Sequence, residues 1–61
     1  MKMIMELTTD FRGNFYWSLE LLKNDKIIEL CKREFLKDAE LDLRWYLENE
    51  YPEATFKGVV S

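Results

Sequence analysis

Apolar and polar residues alternate along the first part of the chain. Residues 1–7 carry Met or Leu at every odd position, which is the period of a half-buried β-strand. Residues 10–14 then supply turn chemistry, because Gly13 accepts a positive φ that other residues resist. The alternation resumes over residues 15–21, where Phe, Trp and two Leu occupy the odd positions. This pattern predicts a β-hairpin.

A second tight turn follows at Asn24 and Asp25, two residue types that tolerate the left-handed conformations of a two-residue hairpin loop. The register set by this turn places Glu20 opposite Glu29, a like-charge pair that is unfavourable unless both groups are solvated. It also predicts that Tyr16 faces Arg33 and that Cys31 and Arg33 lie on the same face as Leu22. The apolar pairs of this register are Leu22 with Ile27, Leu21 with Ile28, and Leu19 with Leu30.

From Leu36 onward the apolar period changes from 2 to 3.6, which predicts a helix. Asp38 suits its N-cap or its first turn, and Pro52 ends it nearby. Residues 53–60 return to strand character. The predicted fold is α+β, an antiparallel three-stranded meander followed by one helix packed on the sheet and a short C-terminal strand (β-β-β-α-β). One stripe of the helix is predicted to face the sheet: Leu36, Ala39, Leu43, Tyr46, Leu47 and Tyr51.

An alternative reading makes residues 14–35 a helix, because its apolar residues also match helical spacing in part. That reading places Asn24 and Asp25 in the middle of a helix, where both are unfavourable. It also fits the alternation over residues 15–21 poorly. The strand reading is therefore favoured.

The chain has 61 residues, which predicts a single domain over 1–61. Its residues are 48% hydrophobic and 15% aromatic, a composition that excludes an intrinsically disordered tail. A chain of this mass buries only about 60% of its extended surface on folding. Part of the apolar surface therefore stays exposed in the folded chain, and we expect the protein to assemble with a partner.

The reactive residues of the chain do not form a pattern that is typical of an enzyme. One Cys and no His exclude a disulfide framework and a Cys/His zinc site. Cys31 is expected to be a small buried hydrophobe, and the acidic residues lack the spacing of a calcium loop. We therefore predict no catalytic, cofactor or metal residues. With no apolar run long enough for a bilayer and no signal-peptide pattern, a cytoplasmic setting is expected.

Charge is distributed unevenly along the chain, whose net charge is −3. Residues 1–37 hold six acids and seven bases, a balance of +1, and residues 38–61 hold six acids and two bases, a balance of −4. The acidic second part argues against a DNA-binding protein, which needs clustered Lys and Arg. Tyr16 and Arg33 suit base stacking or, more simply, a cation–π pair. The predicted acidic surface comprises Asp42, Glu48, Glu50 and Glu53.

Three segments together suggest a family. Residues 13–19 (GNFYWSL), residues 24–28 (NDKII) and Phe35 ahead of residues 37–40 (KDAE) resemble the YegP-like domain of unknown function. The resemblance implies a βββα unit that pairs with a second copy, in tandem or as a homodimer, and it implies no catalytic residues. Asp25 replaces the family's turn Gly, and Cys31 stands where Ser is usual.

Leu41 and Trp45 fall on the side of the predicted helix opposite its apolar stripe. An i, i+4 apolar pair flanked by Arg44 and Glu48 is typical of an interface anchor, unless the helix is rotated or covered by residues 1–8. We therefore predict a non-enzymatic interaction or regulatory module, homodimeric, that contacts a protein partner. By analogy it is an accessory or phage-type inhibitor. The alternative is an acidic mimic of nucleic acid that occludes a DNA-binding protein.

Overall fold

The computed structural model describes residues 1–60 as a four-stranded sheet with one helix. The sheet has the order β3-β2-β1-β4, with β1 and β3 antiparallel to β2 and with β4 parallel to β1. This architecture confirms the α+β class and the order β-β-β-α-β. The elements are β1 (Lys2–Thr9), β2 (Phe15–Lys23), β3 (Lys26–Arg33), α1 (Leu36–Asn49) and β4 (Thr55–Val60).

Both predicted turns form where their residues allow a left-handed backbone. Asn24 and Asp25 have φ angles of 52° and 62°, the two positive values that a type I′ hairpin turn requires. The Asp10 carboxylate closes the β1–β2 loop by accepting hydrogen bonds from the backbone N–H groups of Arg12 and Asn14, at 2.8 and 3.0 Å. Gly13 completes that loop at φ +85°. The helix alternative for residues 14–35 is wrong, because these turns join strands.

The predicted register of β2 and β3 is correct near the turn and wrong beyond it. Glu20 lies opposite Glu29 as expected, but Leu19 then lies opposite Cys31 instead of Leu30. Leu30 is therefore the extra residue of a β-bulge, which the alternation of residue types does not reveal. The shift moves Cys31 and Arg33 to the helix side of the sheet.

The core is formed by one face of the sheet and one stripe of α1. Met3, Met5, Leu19 and Leu21 are almost fully buried on the two central strands. From the helix, Ala39 and Leu43 complete this cluster. Each member of the predicted helix stripe is buried or half-buried and packs on it, which confirms that prediction: Leu36, Ala39, Leu43, Tyr46, Leu47 and Tyr51.

The two ends of α1 depend mainly on backbone geometry. Phe35 is the N-cap residue and makes no side-chain cap, while Asp38 lies in the first turn, where a negative charge is favourable. At the other end the N–H groups of Glu50 and Tyr51 both donate to the Tyr46 carbonyl. The Tyr46 and Tyr51 rings stack with centroids 6.1 Å apart. The helix therefore stops before Pro52, as predicted.

The helix covers only part of the sheet. Its backbone lies closest to β2 and β3, and its side chains also pack over Met3 and Met5 of β1, so the face has less cover at the β4 edge. Within residues 1–60, no helix is both long and apolar enough to traverse a lipid bilayer.

Leu19→Ala is expected to destabilise the fold by about 2–5 kcal/mol, because its side chain is fully buried between β1, β3 and α1. Ile27→Ala is the matched control, since Ile27 is 61% exposed, and it should change stability by less than about 0.5 kcal/mol. Urea unfolding followed by circular dichroism measures both. Equal losses in the two variants would contradict the assigned core.

Glu20→Gln is expected to stabilise the protein at pH 7, by roughly 0.2–1 kcal/mol. Partial burial, with the nearby carboxylates of Glu6 and Glu29, raises the pKa of Glu20, so its ionised form is disfavoured in the folded state. The gain should shrink as the pH falls through this raised pKa and vanish below the ordinary value of 4.5, where Glu20 is protonated in both states. Urea midpoints measured between pH 3 and 8 test this, with the exposed Glu53→Gln as control. A gain that is independent of pH would refute the explanation.

Candidate functional site

Leu41 and Trp45 form an exposed apolar ridge on the outer surface of α1, and we call these two residues the helix ridge. Their side chains are 62% and 51% exposed, although both are large and apolar. Trp45 lies two residues beyond the buried Leu43 and is therefore rotated from it by about 200° around the helix. The helix is thus oriented as the sequence predicts, and residues 2–8 lie in β1 of the sheet instead of covering the ridge.

The ridge is held on a rigid support. The Trp45 ring meets the Tyr46 ring edge to face, with centroids 5.2 Å apart and planes at 85°. Tyr46 in turn packs on the core, so the aromatic contact joins the exposed ring to the buried stripe of the same helix. A preorganised aromatic side chain loses less conformational entropy on binding than a mobile one.

An apolar groove runs beside the ridge, between α1 and the β4 edge of the sheet. It has a volume of about 380 Å³. Phe56 of β4 lines its floor above the fully buried Met5 of β1, and Leu43 and Leu47 contribute its helical wall. The groove exists because the backbone of α1 lies closest to β2 and β3, which leaves room beside the helix at β4. Sequence periodicity did not predict this groove, since it depends on where the helix is placed across the sheet.

The groove has a charged rim on the helix. Glu40, Arg44 and Glu48 follow each other at intervals of one turn along its edge. All three side chains are exposed. Arg44 and Glu48, predicted to flank the apolar pair, therefore lie between the helix ridge and the groove.

The second predicted surface, Tyr16 with Arg33, is not brought together. Arg33 lies opposite Trp17 because of the bulge at Leu30, and Tyr16 lies opposite Thr8 of β1. The cation above the Tyr16 ring is the Lys32 ammonium, 5.2 Å from the ring centroid. The predicted cross-strand contact between Tyr16 and Arg33 is therefore wrong, and the reason is the one-residue shift in β3.

Arg33 instead forms an ion pair with Asp42 of α1. Its Nε donates to Asp42 Oδ2 at 2.6 Å, and its second nitrogen Nη2 donates to Oδ1 at 3.3 Å. These hydrogen bonds from Arg33 lower the pKa of Asp42. The forked contact ties β3 to the helix. It also neutralises one member of the predicted acidic surface.

The other members of that surface remain exposed. Glu48 and Glu50 lie at the end of α1, and Glu53 lies in the turn before β4. Among residues 1–60, no three carboxylate or thiol side chains come together in a way that could hold a metal ion.

Cys31 lies beneath the Arg33–Asp42 ion pair. Its thiol donates to Asp42 Oδ2 at 3.5 Å and is half-buried against the core. Burial, followed by the hydrogen bond and the negative charge of Asp42, raises the pKa of Cys31 to about 11. Because the thiolate is the reactive form, this position favours a protonated thiol that packs and donates.

An exposed aromatic loop is a feature that sequence reasoning missed. Phe11 is 92% exposed at the tip of the β1–β2 loop, with the Arg12 guanidinium 5.3 Å from its ring centroid. Phe15 follows at the start of β2 and is also exposed. The sequence does indicate this exposure, because an aromatic residue inside a polar turn lies away from the apolar core.

No protein-family model, curated protein or solved structure matches this chain. The functional assignment therefore depends on the surfaces described above.

Cys31 is expected to react with iodoacetamide at pH 8 on the order of a hundredfold more slowly in the folded protein than in urea, because its raised pKa lowers the thiolate fraction. Asp42→Asn should speed the folded-state reaction, since it removes the negative charge that favours the protonated thiol. Glu40→Gln changes a carboxylate elsewhere on α1 and should leave the rate unchanged. Mass spectrometry of the alkylated protein gives the rates. A thiol equally reactive in folded and unfolded protein would contradict the assigned environment.

Proposed function

We propose that this protein is a non-enzymatic interaction module that contacts a protein partner through the helix ridge and self-associates as a homodimer. The observation that carries the proposal is the pair Leu41 and Trp45, exposed one turn apart on a helix whose opposite side packs on the core. Large aromatic side chains at the centre of a surface patch are the usual anchors of protein interfaces. The free thiol of Cys31 suits a reducing, cytoplasmic location.

The charges around the ridge support a protein partner. Arg44 and Glu48 flank the two apolar side chains and are exposed. A polar rim around an apolar centre is typical of interfaces that form and dissociate. The homodimer is supported by the apolar surface that so small a core leaves uncovered, and by the resemblance to the YegP-like domain. An inhibitory or accessory role follows from analogy with other compact acidic modules.

A second candidate function is mimicry of nucleic acid by the acidic end of α1. It is favoured by the exposure of Glu48, Glu50 and Glu53 around the helix terminus. Asp42 adds less to this surface, because its carboxylate is paired with Arg33. A mimic would bind a basic protein mainly through charge, whereas the helix ridge would bind mainly through apolar contact.

Trp45→Glu is expected to abolish capture of the partner, because it places a charge where an apolar side chain is buried on binding. The measurement is an affinity pull-down with the intact protein from a lysate of the source cell, quantified by mass spectrometry. Ile27→Glu is the matched control, since Ile27 is also an exposed apolar residue but lies on β3 away from the ridge. A partner retained by Trp45→Glu would contradict the proposal.

The same pull-down distinguishes the two functions through salt. Raising the ionic strength from 0.05 to 0.5 M, on the order of a threefold fall in Debye length, should leave ridge-anchored capture nearly constant. Capture by the acidic mimic should fall steeply, and it should depend on Glu48, Glu50 and Glu53 instead of Trp45.

A further inference from the structure

We propose that the groove beside α1 receives the helix ridge of a second copy of this chain, and that the contact is reciprocal. The inference rests on the proposed function, because it names the surfaces through which the homodimer forms. In this dimer, Leu41 and Trp45 of each molecule lie over the groove floor of the other. The ridge and the groove are an exposed apolar projection and an exposed apolar recess on the same small molecule.

The placement of the helix makes this arrangement geometrically possible. Because the backbone of α1 lies closest to β2 and β3, a groove is left open between the helix and the β4 edge of the sheet. A two-fold axis between two antiparallel helices puts the outer surface of each helix against the β4 edge of the partner's sheet. The two helices then form a middle layer between two outer sheets. Such an isologous contact uses the same surface of both copies, so assembly stops at the dimer.

The directions of the side chains agree with this geometry. Leu43 faces its own sheet, and Trp45 points about 200° away from it, toward the sheet of the second copy. That side of the second copy presents the half-buried side chains of Leu47 and Phe56. The groove volume of about 380 Å³ falls within the ~300–1,000 Å³ of pockets that hold small ligands, so an aromatic ring has room there.

The charges along the groove rim are self-complementary. Arg44 lies one helical turn from Glu40 on one side and from Glu48 on the other. When two such helices run antiparallel with their rims facing, two registers place Arg44 of each copy opposite a glutamate of the other. That glutamate is Glu40 in one register and Glu48 in the other. Two reciprocal ion pairs therefore form, although each chain carries a net charge of −3. This local pattern favours a second copy over an unrelated apolar segment.

The arrangement has a consequence for the proposed function. Self-association covers Leu41 and Trp45, the same side chains that anchor the protein partner. Partner binding and dimer formation are then mutually exclusive at the ridge. The ridge becomes available when the dimer dissociates on dilution, or when a protein partner binds it more tightly than the second copy does.

The test uses two rim variants with opposite charge. Arg44→Glu gives a rim with three acidic residues, and the double variant Glu40→Lys, Glu48→Lys gives a rim with three basic residues. Each variant alone is expected to associate at least tenfold more weakly than the wild type, because like charges face each other. An equimolar mixture should restore association as heterodimers, which native mass spectrometry identifies by mass and sedimentation velocity quantifies.

Controls separate this result from effects on folding. The changed side chains are all exposed, and urea unfolding of each variant should remain cooperative. Lys26→Glu reverses a charge at the exposed first residue of β3 and should leave association unchanged. In a Trp17→Phe background, the emission of Trp45 should shift to shorter wavelength as the dimer forms.

Two results would overturn the inference. A wild-type dimer that survives both rim variants, with no heterodimers in the mixture, would mean that another surface pairs. A wild-type protein that remains monomeric at 100 μM would exclude a second copy as occupant of the groove and would remove the homodimer from the proposed function. Partner capture through Trp45 is measured separately in the pull-down, so its failure is distinguishable from both.

Discussion

The packing of one helix against two central strands is the interaction on which the rest of this protein depends. Met3, Met5, Leu19 and Leu21 are buried from the sheet, and the helix contributes few side chains to cover them. A chain of this size buries only about 60% of its extended surface, so little apolar material can be enclosed further. The cluster lies on β1 and β2, and the helix lies over it with its backbone closest to β2 and β3. The open groove at the β4 edge of the sheet is the direct result.

The ion pair between Arg33 and Asp42 links the helix to β3. It depends on the bulge at Leu30, because without the extra residue Arg33 would point to the other face of the sheet. The bulge also moves Cys31 toward the helix, where its thiol donates to the same carboxylate. One irregular residue in an edge strand therefore decides which side chains link the sheet to the helix.

The two faces of α1 differ in burial and in composition. Its inner stripe packs on the core, while its outer surface carries Leu41 and Trp45 with charged residues beside them. Cys31 lies beneath an ion pair, with a pKa raised to about 11. The described surface has an aromatic ridge, an apolar groove and a rim of alternating charge, and these features are the support for the proposed interaction.

Local sequence determined the strands, the turns and the helix of this protein. The two-residue alternation, the left-handed pair Asn24 and Asp25, and the 3.6-residue period after Leu36 are signals carried by neighbouring residues, and each was confirmed. The outward direction of Trp45 followed from the same helical period. Tertiary structure alone decided the bulge at Leu30, because a strand can insert one residue without changing its composition. It also decided the groove and the pairing of Arg33 with Asp42, since both depend on where the helix crosses the sheet, and that position is chosen by packing between residues distant in the chain.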